Sequence, residues 1–250
     1  MKAILYIGHG TRSKLGAAEA KSFMQRVIKR IDVPIQEVSF LELTEPPIEE
    51  GFQRCVDRGA TEITVVPLFL LAAGHIKEDI PNVLREIGAK HPHVRVRMQN
   101  PFGVQAQILD AIVEIIRESA GEVTSRDALL IVGRGSSDPG IHAAFGEIAD
   151  GIRDRLALKN VSVCYLAAAV PTLKQGLDTI SQQGANRMIV LPYLLFSGLL
   201  LNEVKLNVRS RQKQGLNIIH TGTLSGHRVF EDIVIERASG KEAIHAATGH

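Results

Sequence analysis

A chain of 250 residues is long enough for one large domain or two of ordinary size. Its 45% hydrophobic and 22% charged residues exclude a disordered chain, and two cysteines without metal or redox spacing exclude a disulfide scaffold. With 29 basic against 27 acidic residues, no Trp and 4% aromatics, neither bulk charge nor a stacking platform favours nucleic acid.

Met1-Lys2 runs straight into Ala3-Ile4-Leu5-Tyr6-Ile7, an apolar run too short for a secretory signal. The longer runs, Ile63 to Gly74 and Met188 to Leu201, each contain a proline and fall short of a membrane span. A cytoplasmic chain without a membrane partner is expected. Ala3–Ile7, Ile35–Phe40, Ile63–Val66 and Val94–Met98 have the length and the Ile/Val content of strands. Between them, Ala17, Ala20, Phe23, Met24, Val27, Ile28 and Ile31 follow helical spacing, as do Ile80, Val83, Leu84 and Ile87. After a junction at Ser119 to Asp127, strands recur at Ala128–Val132, Val161–Leu166, Met188–Leu191 and Ile218–Thr221.

The second half repeats the first at a constant offset of 125 residues. Gly8-His9-Gly10 answers to Gly133-Arg134-Gly135, Pro46 to Pro171, Gly51 to Gly176, Gly59 to Gly184, Pro67 to Pro192 and Glu78 to Glu203. A set of matches in unbroken register implies a duplicated unit. The pattern predicts an α/β protein of two homologous, doubly wound parallel-sheet domains facing each other across a cleft. Their expected extents are 1–120 and 127–240, with a frayed tail at 241–250. Since the two halves supply both walls of the cleft, a monomer is expected.

His9 follows the first strand, Glu42 ends the second, and His75 lies shortly beyond the third. The carboxyl ends of parallel strands share one rim, so these groups can converge where open α/β folds do their chemistry. Two imidazoles and a carboxylate offer proton acceptors near neutral pH and ligands for Fe²⁺, Co²⁺, Ni²⁺ or Zn²⁺. Chemistry centred on them is expected to fade as pH drops through roughly 6 to 7. At the same offset the second half carries Arg134, Ala167 and Leu200, so the scaffold is doubled and the chemical groups are single. Lys77-Glu78-Asp79 looks like a first-turn charge cluster, and Cys55 and Cys164 look like packing residues.

The segments Ile4-Leu5-Tyr6-Ile7-Gly8-His9-Gly10-Thr11-Arg12, Ser39-Phe40-Leu41-Glu42 and Pro67-Leu68-Phe69-Leu70-Leu71-Ala72-Ala73-Gly74-His75 resemble those of the class II tetrapyrrole chelatases. The likeness is greatest to the long, two-domain sirohydrochlorin ferrochelatases of siroheme biosynthesis and the related cobaltochelatases. It extends to Gly133-Arg134-Gly135-Ser136-Ser137-Asp138-Pro139 and to Pro192-Tyr193-Leu194-Leu195-Phe196-Ser197-Gly198. The resemblance implies a macrocycle held between the two halves and a divalent metal inserted into it, with His9, His75 and Glu42 as metal-binding and catalytic groups. Glu42 would complete the metal's first shell or orient a histidine. It implies no permanently bound cofactor: sirohydrochlorin and Fe²⁺ are substrates, with Co²⁺ or Ni²⁺ as substitutes. A histidine-rich tail found in some cobalt enzymes is missing from this sequence, which favours iron. The substrate's peripheral carboxylates call for cations and donors, and Arg12, Arg134, Ser136 and Ser137 beside the glycine turns are the candidates. Cobalt insertion and a non-catalytic metal carrier are the alternatives. Histidine phosphatase chemistry wants Arg before the nucleophilic His, where this chain has Gly8.

Overall fold

The computed structural model describes residues 1–240; the expected tail, with His245 and His250, lies outside them. The first repeat runs β1 (Lys2–Gly8), α1 (Lys14–Ile28), β2 (Ile35–Phe40), α2 (Ile48–Asp57), β3 (Glu62–Pro67), a π-helical turn at His75–Asp79, α3 (Ile80–Lys90), β4 (Arg95–Met98) and α4 (Ala106–Ala120). The second runs β5 (Ala128–Gly133), α5 (Pro139–Leu156), β6 (Asn160–Tyr165), α6 (Leu173–Ser181), β7 (Met188–Pro192), α7 (Leu199–Lys213), β8 (Ile218–His220), a 3₁₀ turn at Leu224–Gly226 and α8 (Arg228–Ala238).

Each half is a parallel sheet, ordered β2-β1-β3-β4 in the first and β6-β5-β7-β8 in the second. Register repeats as well as topology: Gly8 pairs with Phe40 and Ile7 with Pro67, as Gly133 pairs with Tyr165 and Val132 with Pro192. The ends of β1, β2 and β3 are thereby aligned on one rim. Apolar runs without polar alternation mark strands covered on both faces, and β5 is buried along its whole length.

Burial falls into three apolar clusters. One lies between β1–β3 and the helices α2 and α3, around Leu5, Phe52, Ile63 and Ile80. Another lies between β5–β7 and α6 and α7, around Leu130, Leu177 and Val204. Cys55 and Cys164 are buried in these two, and burial pushes their thiols up to about 12. The third cluster is shared by both halves and joins Tyr6, Phe23 and Phe102 to Leu129, Phe145 and Phe230.

The shared core exists because the halves exchange their last helices. Helix α8 packs on α1 and β3, and α4 packs on α5 and β7. Phe230 of α8 meets Phe102 edge-to-face at 5.4 Å, and Arg237 donates to the carbonyls of Asn100 and Phe102 at 2.6 and 3.1 Å. Arg26 of α1 and Arg30 just beyond its end pair with Glu231 and Asp232 of α8, while Arg155 of α5 pairs with Asp110 of α4. The repeat therefore divides along the chain near 120–127, but packing crosses that division twice. The junction itself is tied down: Arg187 donates to the Ala120 and Glu122 carbonyls and to the buried Asp127 carboxylate. No helix among the described residues is long and apolar enough to cross a membrane.

Candidate active site

Beyond the ends of β1 and β2 the backbones stay paired, with the amides of Leu41 and Glu42 donating to the carbonyls of Gly8 and His9 at 2.9 and 3.1 Å. Gly10 makes this approach possible. Its φ is +93°, and a Cβ there would lie 1.6 Å from the Glu42 carbonyl oxygen. The second repeat copies the device: Ala167 donates to the Arg134 carbonyl at 2.8 Å, and a Cβ on Gly135 (φ +94°) would lie 1.8 Å from the Ala167 oxygen. Positions 9 and 42 are thus forced together by the backbone, and so are 134 and 167.

His75 opens the π-helical turn beyond β3, and its imidazole meets that of His9 edge-on, with ring centroids 4.8 Å apart. The two Nε2 atoms face each other at 3.2 Å. Each Nδ1 faces away toward a carboxylate: that of His9 lies 3.6 Å from Glu42 Oε1, and that of His75 lies 2.7 Å from Asp79 Oδ2. Phe69 flanks both rings at 6.0 and 6.3 Å between centroids. At metal–imidazole bonds of about 2.1 Å, a separation of 3.2 Å subtends about 100° at a shared ion, close to tetrahedral or cis-octahedral geometry. Glu42 stands behind His9, on the nitrogen remote from this gap. Among the described residues no set of three His, Cys, Asp or Glu side chains is arranged to hold an ion; the histidines form an open, two-donor site.

Arg134 enters from the second repeat and donates through Nη1 toward His9 Nε2 at 3.3 Å. Arg134 is the positional counterpart of His9, so the contact lies where equivalent points of the two repeats meet. Burial, then the Arg134 charge and then His75 lower the pKa of His9 below its ordinary 6.5, against smaller opposing effects of Glu42 and the Gly10 carbonyl. His9 is thereby kept neutral near pH 7, with a lone pair available at Nε2.

These groups lie in a cleft of about 550 Å³ walled by Leu68, Phe69 and Leu71 from one repeat and by Leu195, Phe196 and Leu201 from the other. Polar groups are few and convergent, as in small-molecule sites generally. Arg12 and Ser136 also line the cleft. Arg12 is exposed and makes no hydrogen bond or ion pair among the described residues. Ser137 is exposed and does not line the cleft, while Ser136 takes part in the capping of α5. There Ser136 Oγ accepts the Asp138 amide at 3.1 Å, and the Asp138 carboxylate accepts the Gly140 amide at 2.8 Å.

Two links across the cleft were absent from the sequence reading. Lys77 pairs with Asp138 at 2.5 Å. Glu19 of α1 accepts from the Ser197 amide and from the Thr223 and Ser225 hydroxyls, at 2.8, 3.0 and 2.6 Å. Burial raises the Glu19 pKa, but these donors outweigh it and hold the group below its ordinary value. An isolated glutamate on a helix gives no sequence signal for such a role. Asp79 did give one, since it stands four residues after His75 and so on the same helical face.

The chain matches the CbiX family twice, over residues 3–119 and 128–241. A protein of Priestia megaterium named sirohydrochlorin ferrochelatase is 48% identical, over 82% of this chain and 77% of its own. A sirohydrochlorin cobaltochelatase of the same organism is 31% identical, over 95% of this chain and 79% of its own. The solved structure of SirB from Bacillus subtilis with Fe³⁺ superposes with a TM-score of 0.85 at 35% identity, covering 97% of this chain and 96% of that one.

Proposed function

The chain belongs to the CbiX family, and on that premise we propose that it is a sirohydrochlorin ferrochelatase, inserting Fe²⁺ into sirohydrochlorin with release of two protons. The observation that carries this reading is the pair of facing Nε2 atoms, 3.2 Å apart, set in an apolar cleft of about 550 Å³. It is supported by the ferrochelatase name of a relative that is 48% identical.

In this mechanism the leucine- and phenylalanine-lined walls hold the macrocycle, and the metal binds as a substrate between His9 and His75. Two donors and an open remainder suit an ion that has to be handed on, since a closed cage would keep it. Neutral imidazoles then take the pyrrole protons as the ring nitrogens replace them on the metal. Glu42 acts on the remote nitrogen of His9, orienting it and favouring its cationic form once a proton arrives. Arg134 occupies the Nε2 atom that the metal needs and has to swing away. The macrocycle's peripheral carboxylates are the anions that draw it, together with Arg12.

Absorbance of sirohydrochlorin mixed with the protein and Fe²⁺ or Co²⁺, against a no-protein control, tests the function directly. Metallation faster with Fe²⁺ supports it; metal uptake without a change in the macrocycle spectrum identifies a carrier instead. Arg12→Ala and Arg134→Ala are expected to raise KM for the macrocycle about tenfold or more, as each lost charge-assisted pair is worth about 1.5–3 kcal/mol when desolvated. An unchanged KM in both removes them from the substrate site.

The pH profile follows from the direction of the His9 shift. Its neutral form persists below the ordinary 6.5, so the acid limb of the rate falls below that pH and not across the 6 to 7 interval expected for an unperturbed imidazole. The stability contribution has the same sense: it is complete above the unfolded value and lost as pH falls toward the lower folded one. Single-turnover rates between pH 5 and 8 check the limb, and a midpoint above 6.5 excludes neutral His9 as the group observed.

A further inference from the structure

We propose that Asp79 is a positioning residue for the metal, holding His75 with its Nδ1 engaged and its Nε2 turned into the gap with His9. This rests on the chelatase reading and adds to it a residue that acts through His75.

Asp79 lies within a continuous helical run, where the π-helical turn passes into α3, and has helical backbone angles. Its side chain reaches back to His75 Nδ1 at 2.7 Å, the shortest contact either histidine makes. With Nδ1–H donated to a carboxylate, the lone pair of His75 is left on Nε2, the atom facing His9. A carboxylate behind a ligating imidazole fixes the ring and raises its basicity.

At the position answering to His75 the second repeat carries Leu200, so it has no imidazole for a carboxylate to hold. The π-helical turn that runs from His75 to Asp79 occurs in the first repeat, while α7 starts as a plain α-helix at Leu199.

The test uses the full chain and Co²⁺ alone, followed by its visible absorbance. Asp79→Ala is expected to weaken Co²⁺ binding about 10–100-fold. Asp79→Asn, which keeps an acceptor oxygen in the same place, is expected to weaken it less, and it serves should the alanine variant fold poorly. Sirohydrochlorin affinity, read by fluorescence quenching, should stay within about twofold, and Glu78→Ala should bind Co²⁺ like the parent.

The deciding measurement is a double-mutant cycle with His75→Ala. If Asp79 acts through His75, its substitution has no further effect on Co²⁺ once the histidine is gone. A full additional loss in that background, or wild-type affinity in Asp79→Ala, overturns the proposal. Failure of the unmodified protein to metallate sirohydrochlorin would overturn the chelatase reading instead, and it is read in a separate assay.

Discussion

His9→Ala and His75→Ala are each expected to lower the single-turnover rate of metallation by about 10²–10⁴-fold, the range for losing a positioned proton acceptor. Both rings are partly exposed at the cleft, with side-chain exposures of 28% and 30%, so the folded state should survive. The informative partner is Leu200→Ala, at the position equivalent to His75. Leu200 lines the cleft, so its truncation should weaken macrocycle binding while leaving the rate at saturating macrocycle nearly unchanged. Glu42→Gln should fall between, because the amide keeps the shape behind His9 and loses the charge. Circular dichroism on every variant separates lost chemistry from lost fold. A Leu200→Ala rate as low as that of His9→Ala, or normal turnover by both histidine variants, would mean that the site is not single.

The strands were legible because their signal is local. A continuous apolar run such as that of β5 marks a strand buried on both faces, and β2, although it carries Gln36, Glu37 and Ser39, was bounded to the residue. The convergence of His9, Glu42 and His75 was legible because parallel strands end on one rim and the register repeats. The destination of α4 was not. Its buried Ile108, Leu109, Ile112, Val113, Ile115 and Ile116 declare a helix enclosed on several sides, but periodicity does not say by which sheet. The absence of Ser137 from the cleft lining was not legible for a similar reason: standing three residues after Arg134 says nothing of which way a turn sends each side chain. The meeting of Arg134 with His9 joins positions that the offset makes equivalent, but the offset alone does not say that they touch. Asp79 was hidden by a stronger habit, the preference of acids for a first helical turn.

The duplicated glycine turns allow backbone geometry to be separated from chemistry. Gly10→Ala and Gly135→Ala introduce the same methyl group at the same left-handed φ, 1.6 and 1.8 Å from the carbonyls of Glu42 and Ala167. No side chain can yield in either case, because the obstacle is backbone, so the neighbouring loop has to move. Each substitution is expected to destabilise the protein by roughly 1–3 kcal/mol through strain alone, seen as similar losses in denaturant midpoint. Their effects on the rate should differ. In Gly10→Ala the displaced loop carries Glu42 away from His9, and a shift near 1 Å at reacting groups can cost about 10²-fold. In Gly135→Ala the displaced loop carries Ala167, which has no chemistry to lose. Arg134 lies beside it, so the expected change there is a higher KM for the macrocycle. Single-turnover rates at saturating macrocycle, measured below the unfolding range of both variants, decide the matter. Equal rates in the two variants would show that holding Glu42 against His9 contributes nothing to metallation, and the tight turn at Gly10 would then belong to the scaffold alone.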